Sequence, residues 1–284
     1  MALEAQFPVH VRLAVADQHQ FRHACSVLIH GLSRPPGDAE WAKTQQGLLF
    51  RAMGTLILIP GLAGDAAMWR EQLQALAPWQ PQVSDVHTRE DGIPAMAAAL
   101  LRQHAGPLVL CGASMGGMVA MEAARQAPER IAGLALLGTD ARPDAPEMTA
   151  LREAAIVLFA QGRTREVIAP NIAMAFHPDH AAALGAAYLE FVLDAGAEQL
   201  IRQNRAVIAR PDARPHLPRL QCPVLVMCGE ADLLTPPERS REIAALVPQA
   251  QLVLVPRCGH MLTMEQPEVV NAQLRAWLPS VLPA

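Results

Sequence analysis

Residues 112–116 read Gly-Ala-Ser-Met-Gly and follow an apolar run, Pro107-Leu-Val-Leu-Cys111, that suits a buried parallel strand. Residues 115–127 then carry the pattern of a helix ending before Pro128. A serine at such a strand-to-helix turn is held in a strained backbone conformation with its hydroxyl projecting, and the tightness of the turn demands glycine two positions before and after. With glycine at roughly 7% of residues and serine similar, the bare pattern arises by chance in about one chain in ten of this length, so the flanks carry the argument. The chemistry available to Ser114 is nucleophilic attack, which requires a base to take its proton.

Ten histidines compete for that role. His177, His180 and His216 fall in a helical stretch and His104 closes a helix. His260, in Pro256-Arg-Cys-Gly-His260, sits in a short loop after the last strand-like run, downstream of the serine. An imidazole in turn needs an acid to set its tautomer and stabilise its charged form. Asp232, in Gly229-Glu-Ala-Asp232-Leu-Leu-Thr-Pro, follows another strand-like run and is the choice here. Glu230 is two residues away and should point elsewhere; Asp140, after the preceding strand, is the competitor. The bland alternatives are a packing histidine and a loop-capping aspartate.

These residues need a scaffold that brings strand ends together. Apolar runs at 55–59, 107–111, 133–137, 223–228 and 251–255, with a weaker one at 82–86, alternate with helical patterns at 66–77, 92–104, 115–127, 236–247 and 267–278. That alternation predicts a mostly parallel sheet with helices on both faces. Thr235-Pro-Pro-Glu238 has the form of a capping box at a helix start. Residues 141–218 hold no convincing strand but helical segments broken at Gly162, Pro170, Pro178 and Gly196, as expected of a helical cap placed before the last two strands. The core is then 54–140 together with 219–284. Residues 1–53 read as edge strands, with 9–16 alternating, or as a loosely attached extension. Residues 54–284 are expected to fold without most of that segment; insoluble or inactive protein after deletion of residues 1–52 would refute this.

Of 284 residues, 51% are hydrophobic and 18% charged, as in a globular protein, and the net charge of −4 gives no basic face for nucleic acid. Five cysteines without a Cys-x-x-Cys pair argue against a disulfide framework or zinc motif and for a reducing, cytoplasmic setting. No run approaches the ~18 apolar residues of a membrane span, and no secretory signal is evident. His19 and His23 stand four apart with no third ligand at a defined spacing, which argues against a metal site.

The order Ser114, Asp232, His260, set in GASMGG, GEADLLTP and CGHMLTMEQP, resembles the α/β-hydrolase superfamily, in particular the branch with a four-helix-type cap. The likeness runs from about residue 54 to 280. The stretch SMGGMVAMEAARQAPERIAGLALLGTDARPDAPE is similar to small bacterial esterases and 3-oxoadipate enol-lactonase-like enzymes. The resemblance implies the α/β-hydrolase fold and hydrolysis of a small-molecule carboxylic ester or lactone by a Ser-His-Asp triad through an acyl-enzyme, without cofactor or metal. It further implies an oxyanion hole made by the backbone N–H groups of Met115 and Leu62. The second lies in a loop where the family commonly has His-Gly and this chain has Pro60-Gly61.

Two other readings share these residues. One is a triad-dependent carbon–carbon hydrolase or elimination enzyme acting on a carboxylated substrate, for which Arg152, Arg163, Arg165, Arg202 and Arg205 would matter. The other is a non-catalytic binding protein on the same fold. Phe159, Met174, Phe176, Tyr188 and Phe191 would line an apolar chamber or pack the cap onto the sheet. The sequence sets neither substrate nor oligomeric state.

Overall fold

The structure, a computed structural model, describes residues 54–282. The expectations for residues 9–16, for His19 and His23 and for Cys25 lie outside them. Six strands form one sheet: β1 (Thr55–Ile59), β2 (Gln82–Val83), β3 (Leu108–Ala113), β4 (Ile131–Leu137), β5 (Val224–Gly229) and β6 (Gln251–Val255). Every pairing is parallel, in the order β2-β1-β3-β4-β5-β6.

Alternate strand residues feed two separate apolar layers, which is why these strands read as continuous hydrophobic runs. Ile57, Ile59, Leu108, Leu110, Leu134 and Leu136 face one layer, built with α2 (Ile93–Gln103), α3 (Met115–Gln126) and α7 (Pro237–Leu246). Leu56, Leu58, Val109, Cys111, Ala135 and Leu137 face the other, where Val270, Leu274 and Trp277 of α9 (Pro267–Trp277) lie; α1 (Arg70–Ala75) adds Leu73. The chain reverses its direction of travel across the sheet at β1. The carboxyl ends of β1 and β3 therefore form a switch point, the crevice where open parallel sheets hold ligands.

Three helices are inserted between β4 and β5: α4 (Pro146–Ala160), α5 (Thr164–Ala175) and α6 (Pro178–Ile208). Gly162 separates α4 from α5 with φ +76°, Pro178 opens α6, and Gly196 kinks α6 with φ +79°. The expected break at Pro170 does not occur, for α5 runs through it. A proline costs the helix one amide bond, but its neighbours Ile168 and Ile172 pack into the insertion's own apolar cluster and hold the segment. The weak strand at 82–86 is also shorter than expected. Only Gln82 and Val83 pair with β1; Val86 and His87 turn into the interior instead. Among the described residues no helix is long and apolar enough to cross a membrane.

Candidate active site

Ser114 lies between β3 and α3 with φ +52° and ψ −119°, a conformation that L-residues avoid. Such strain costs of order 1–3 kcal/mol and persists only where the surroundings over-determine it. Here they do. The Ser114 N–H donates to Leu137 O at 2.8 Å, and its carbonyl accepts from Gly117 N at 2.9 Å and from Thr139 Oγ1 at 2.7 Å. The two flanking glycines are steric necessities: a Cβ on Gly112 would lie 2.3 Å from Gly116 O, and one on Gly116 would lie 2.1 Å from Ile59 O.

The structure brings Ser114, His260 and Asp232 together from three strand ends. His260 Nε2 is 3.0 Å from Ser114 Oγ, and His260 Nδ1 is 2.9 Å from Asp232 Oδ2. Because a carboxylate only accepts, the proton sits on Nδ1 and leaves Nε2 free to receive the serine proton. Asp232 is buried, with Oδ1 accepting the Leu234 and Thr235 N–H groups at 2.9 and 2.8 Å and Oδ2 accepting Thr235 Oγ1 at 2.9 Å. The expected capping box is therefore not formed. α7 starts with Pro236 as its cap residue, and the Thr235 hydroxyl is spent on the carboxylate.

Burial by itself would raise the Asp232 carboxyl pKa. The His260 charge, its hydrogen bond and the Thr235 donors outweigh that and hold it below the usual carboxylate value. For His260, burial alone would lower the pKa. The Asp232 charge and hydrogen bond, aided by Glu265 and opposed by Arg152, leave it raised above 6.5. Asp140 is not part of this chain of contacts: its Oδ1 accepts Arg142 N at 2.8 Å and Oδ2 faces Arg239 Nε at 3.3 Å. Glu230 is exposed.

Sequence reading missed Glu265, the last residue of the short helix α8 (Leu262–Glu265), whose side chain is fully buried beside the His260 loop. Its Oε1 accepts from Gly259 N at 3.0 Å and Met261 N at 3.1 Å, and its Oε2 accepts from His177 N at 2.8 Å. Gly259 permits this close approach, since a Cβ there would lie 2.7 Å from His177 N. One carboxylate thus ties the loop carrying His260 to the junction of α5 and α6, and His260 N also donates to Ala175 O at 2.9 Å. The only local signal was an acid five residues after the histidine. Glu265→Gln turns an amide N–H toward at least one of these donors. It is expected to destabilise the fold by about 1–3 kcal/mol, read by urea unfolding; unchanged stability would count against this role.

The loop 60–64 abuts the serine, with the Gly61 Cβ position 3.2 Å from Ser114 Cβ. Among the described residues neither the Leu62 nor the Met115 N–H has an acceptor, while the neighbouring Ala63 and Gly64 amides are both engaged. The arginines of the insertion are mostly occupied: Arg163 by Glu166, Arg165 by Glu190, Arg202 by Thr88 O, and Arg152 by Asp144 and Asn204. Phe176, Tyr188 and Phe191 form an edge-to-face ladder with centroids 5.3 and 5.0 Å apart; Phe159 is buried and Met174 is exposed. All four described cysteines are free and buried.

This geometry can activate a serine, and comparisons with known proteins place the chain among hydrolases. An esterase from Thermogutta terrifontis is 31% identical, with TM-score 0.73, over 81% of this chain and 92% of that one. The enol-lactonase of Burkholderia xenovorans LB400 is 23% identical with TM-score 0.70 over 79% and 91%, a likeness of fold. A relative in Escherichia coli O103:H2, named RutD and provisionally assigned as a carbamate hydrolase, is 28% identical over 80% of this chain and 92% of its own. The model of the alpha/beta hydrolase family matches residues 27–273, beginning inside the segment that sequence reading set apart. A match over that much of the chain means that the protein belongs to the alpha/beta hydrolase family and is a hydrolase.

Proposed function

We propose that the protein is a serine hydrolase cleaving a carboxylic ester or lactone through an acyl-enzyme. The observation that carries this reading is the chain Ser114 Oγ–His260 Nε2 at 3.0 Å and His260 Nδ1–Asp232 Oδ2 at 2.9 Å, hung on a strained turn. Ser114 Oγ attacks the substrate carbonyl carbon as His260 Nε2 takes its proton. The oxyanion is received by the Leu62 and Met115 amides, the latter at the N-terminus of α3. His260 then gives its proton to the departing alkoxide and leaves an acyl group on Ser114. Water attacks that ester, losing a proton to His260, and collapse of the second tetrahedral intermediate returns the proton to Ser114 Oγ.

The 31% identical esterase supports an ester substrate, and a carbamate, as in the RutD name, is attacked at the same kind of carbonyl. The helices of residues 141–218 act as a cap over the site in this reading, and buried free cysteines fit a cytoplasmic setting. An elimination on a carboxylated substrate would need cationic side chains free to bind it, and those of the cap are largely paired within the protein. The test is exposure to a fluorophosphonate followed by intact-mass measurement. One adduct on the native protein is expected; no adduct on well-folded protein overturns the reading.

A further inference from the structure

The turn that carries the Leu62 amide is gripped by the helical insertion. Ala63, next to it, has φ +60°, and its N–H donates to Gln203 Oε1 at 2.7 Å. Gln203 belongs to α6 and is fully buried, and its Nε2 donates to His87 O at 3.0 Å. His87 Nε2 lies 2.7 Å from Gly64 O. A carbonyl only accepts, so this ring nitrogen carries the proton. Burial lowers the His87 pKa and keeps the ring neutral. Gly64 N closes the circuit by donating to Gly61 O at 3.0 Å.

Apolar packing agrees with the polar contacts. Ala63 is 3% exposed and belongs to the cluster of Phe159, Ile168, Leu189, Val192 and Leu200, which is the core of the insertion and not of the sheet. Leu62 bridges the two, packing against this cluster and against the layer of the sheet that holds Ile57 and Ile59. A side chain on a helix, 140 residues away in the chain, thus completes the turn beside the serine.

We infer that Gln203 is a positioning residue for the oxyanion hole: by holding Ala63 N–H it aims the adjacent Leu62 N–H at the site of the developing charge. This rests on the reading of Ser114 as nucleophile and Leu62 as donor. It makes the insertion part of the catalytic apparatus as well as a cover. A hydrogen bond of 2.7 Å is lost on a shift of about 1 Å, so outward movement of α6 would disassemble the oxyanion hole even with Ser114, His260 and Asp232 undisturbed. Productive chemistry is then coupled to a closed insertion.

The experiment is kinetics on an activated ester with Gln203→Met and Gln203→Glu, beside native protein and Ser114→Ala. Methionine keeps the length of the side chain and removes its polar ends. Its kcat is expected to fall about 10-fold to 100-fold, short of the ~10²–10³ lost when an oxyanion donor is deleted. KM and the pH midpoint should hold, because the Ser114–His260–Asp232 contacts are untouched. Glutamate keeps an oxygen facing Ala63, and burial raises its pKa so that the protonated acid can donate to the His87 carbonyl in place of Nε2; it is expected to recover part of the rate. An unchanged kcat in folded Gln203→Met, or a loss confined to KM or to melting temperature, overturns the inference. If neither variant folds, amide exchange in the native protein decides: Ala63 N–H should exchange far more slowly than Leu62 N–H, and equal rates overturn it. Should native protein lack any turnover dependent on Ser114, the serine-hydrolase reading fails separately, and the exchange measurement still reports whether Gln203 holds the loop.

Discussion

Ser114→Ala is expected to lower kcat on an activated ester by about 10⁶-fold, the scale seen when the nucleophile of a serine hydrolase is deleted. A residual acceleration of roughly 10³–10⁴ over water should persist, because the oxyanion donors and the binding pocket remain. The same change should remove the fluorophosphonate adduct entirely. Stability should move little. The strained φ is imposed by the backbone bonds of Ser114 to Leu137, Gly117 and Thr139, none of which involves the hydroxyl. The one bond lost is to His260, worth about 0.5–1.5 kcal/mol, and unfolding in urea would register a larger effect. Retained turnover or retained labelling in the folded variant would remove Ser114 from the chemistry and leave the catalytic reading without its nucleophile.

Much of this was open to inspection in the sequence, for identifiable reasons. β1 appears at the expected residues 55–59 because a strand buried on both faces must be a continuous apolar run; β6 appears at the expected 251–255 although it is an edge strand with Gln251 and Leu252 exposed and only Val255 buried. β3 extends two residues past its expected end, through Gly112 and Ala113. Small residues weaken a strand signal, yet they are what the turn after it needs. Ser114, His260 and Asp232 were legible because each lies just beyond a strand, where a polar residue has few structural excuses. Glu265 and Gln203 were not. A glutamate or glutamine in a helix reads as a solvent-facing residue, and what makes these two different is a partner distant in the chain. Thr235 was legible but misassigned: the local pattern Thr-Pro-Pro-Glu satisfies a capping box, and the competing acceptor was Asp232, which the structure favours because that carboxylate is buried and must be satisfied.

The arrangement also explains why the insertion cannot be treated as an appendage. It meets the site at two points: Glu265 joins the His260 loop to the junction of α5 and α6, and Gln203 of α6 joins the loop that carries Leu62. The base and one proposed oxyanion donor are therefore both referenced to the same helices. Ser114, the proposed nucleophile, is held instead by the sheet and the turn around it, through Leu137, Gly117 and Thr139. Relative movement of insertion and sheet would change the distance between the reacting group and the groups that assist it, which is the geometry on which acceleration by positioning depends.

Asp232→Asn tests the third member of the chain and is expected to lower kcat by about 10⁴-fold. The amide can turn an N–H toward His260 Nδ1, which forces the imidazole proton onto Nε2, the nitrogen that must accept from Ser114. The pH profile should move in a stated direction. In native protein the acid limb of kcat/KM is expected above the usual histidine value, because the Asp232 carboxylate outweighs burial in setting the His260 pKa and the proposed mechanism requires the neutral ring. With that charge gone, burial is left as the dominant influence, so the limb should shift toward acid. Stability should respond with the opposite bias. A raised His260 pKa stabilises the fold below about 6.5 and the benefit is lost as pH rises through the folded value; a lowered Asp232 pKa stabilises above about 3.8 and the benefit is lost as pH falls through its folded value. The pair titrates jointly, so the native protein's advantage over Asp232→Asn in urea unfolding should be greatest between about pH 4 and 6.5. A limb that stays in place, or a stability gap that widens toward alkaline pH, would show that Asp232 does not govern the protonation of His260 and that another acid takes its part.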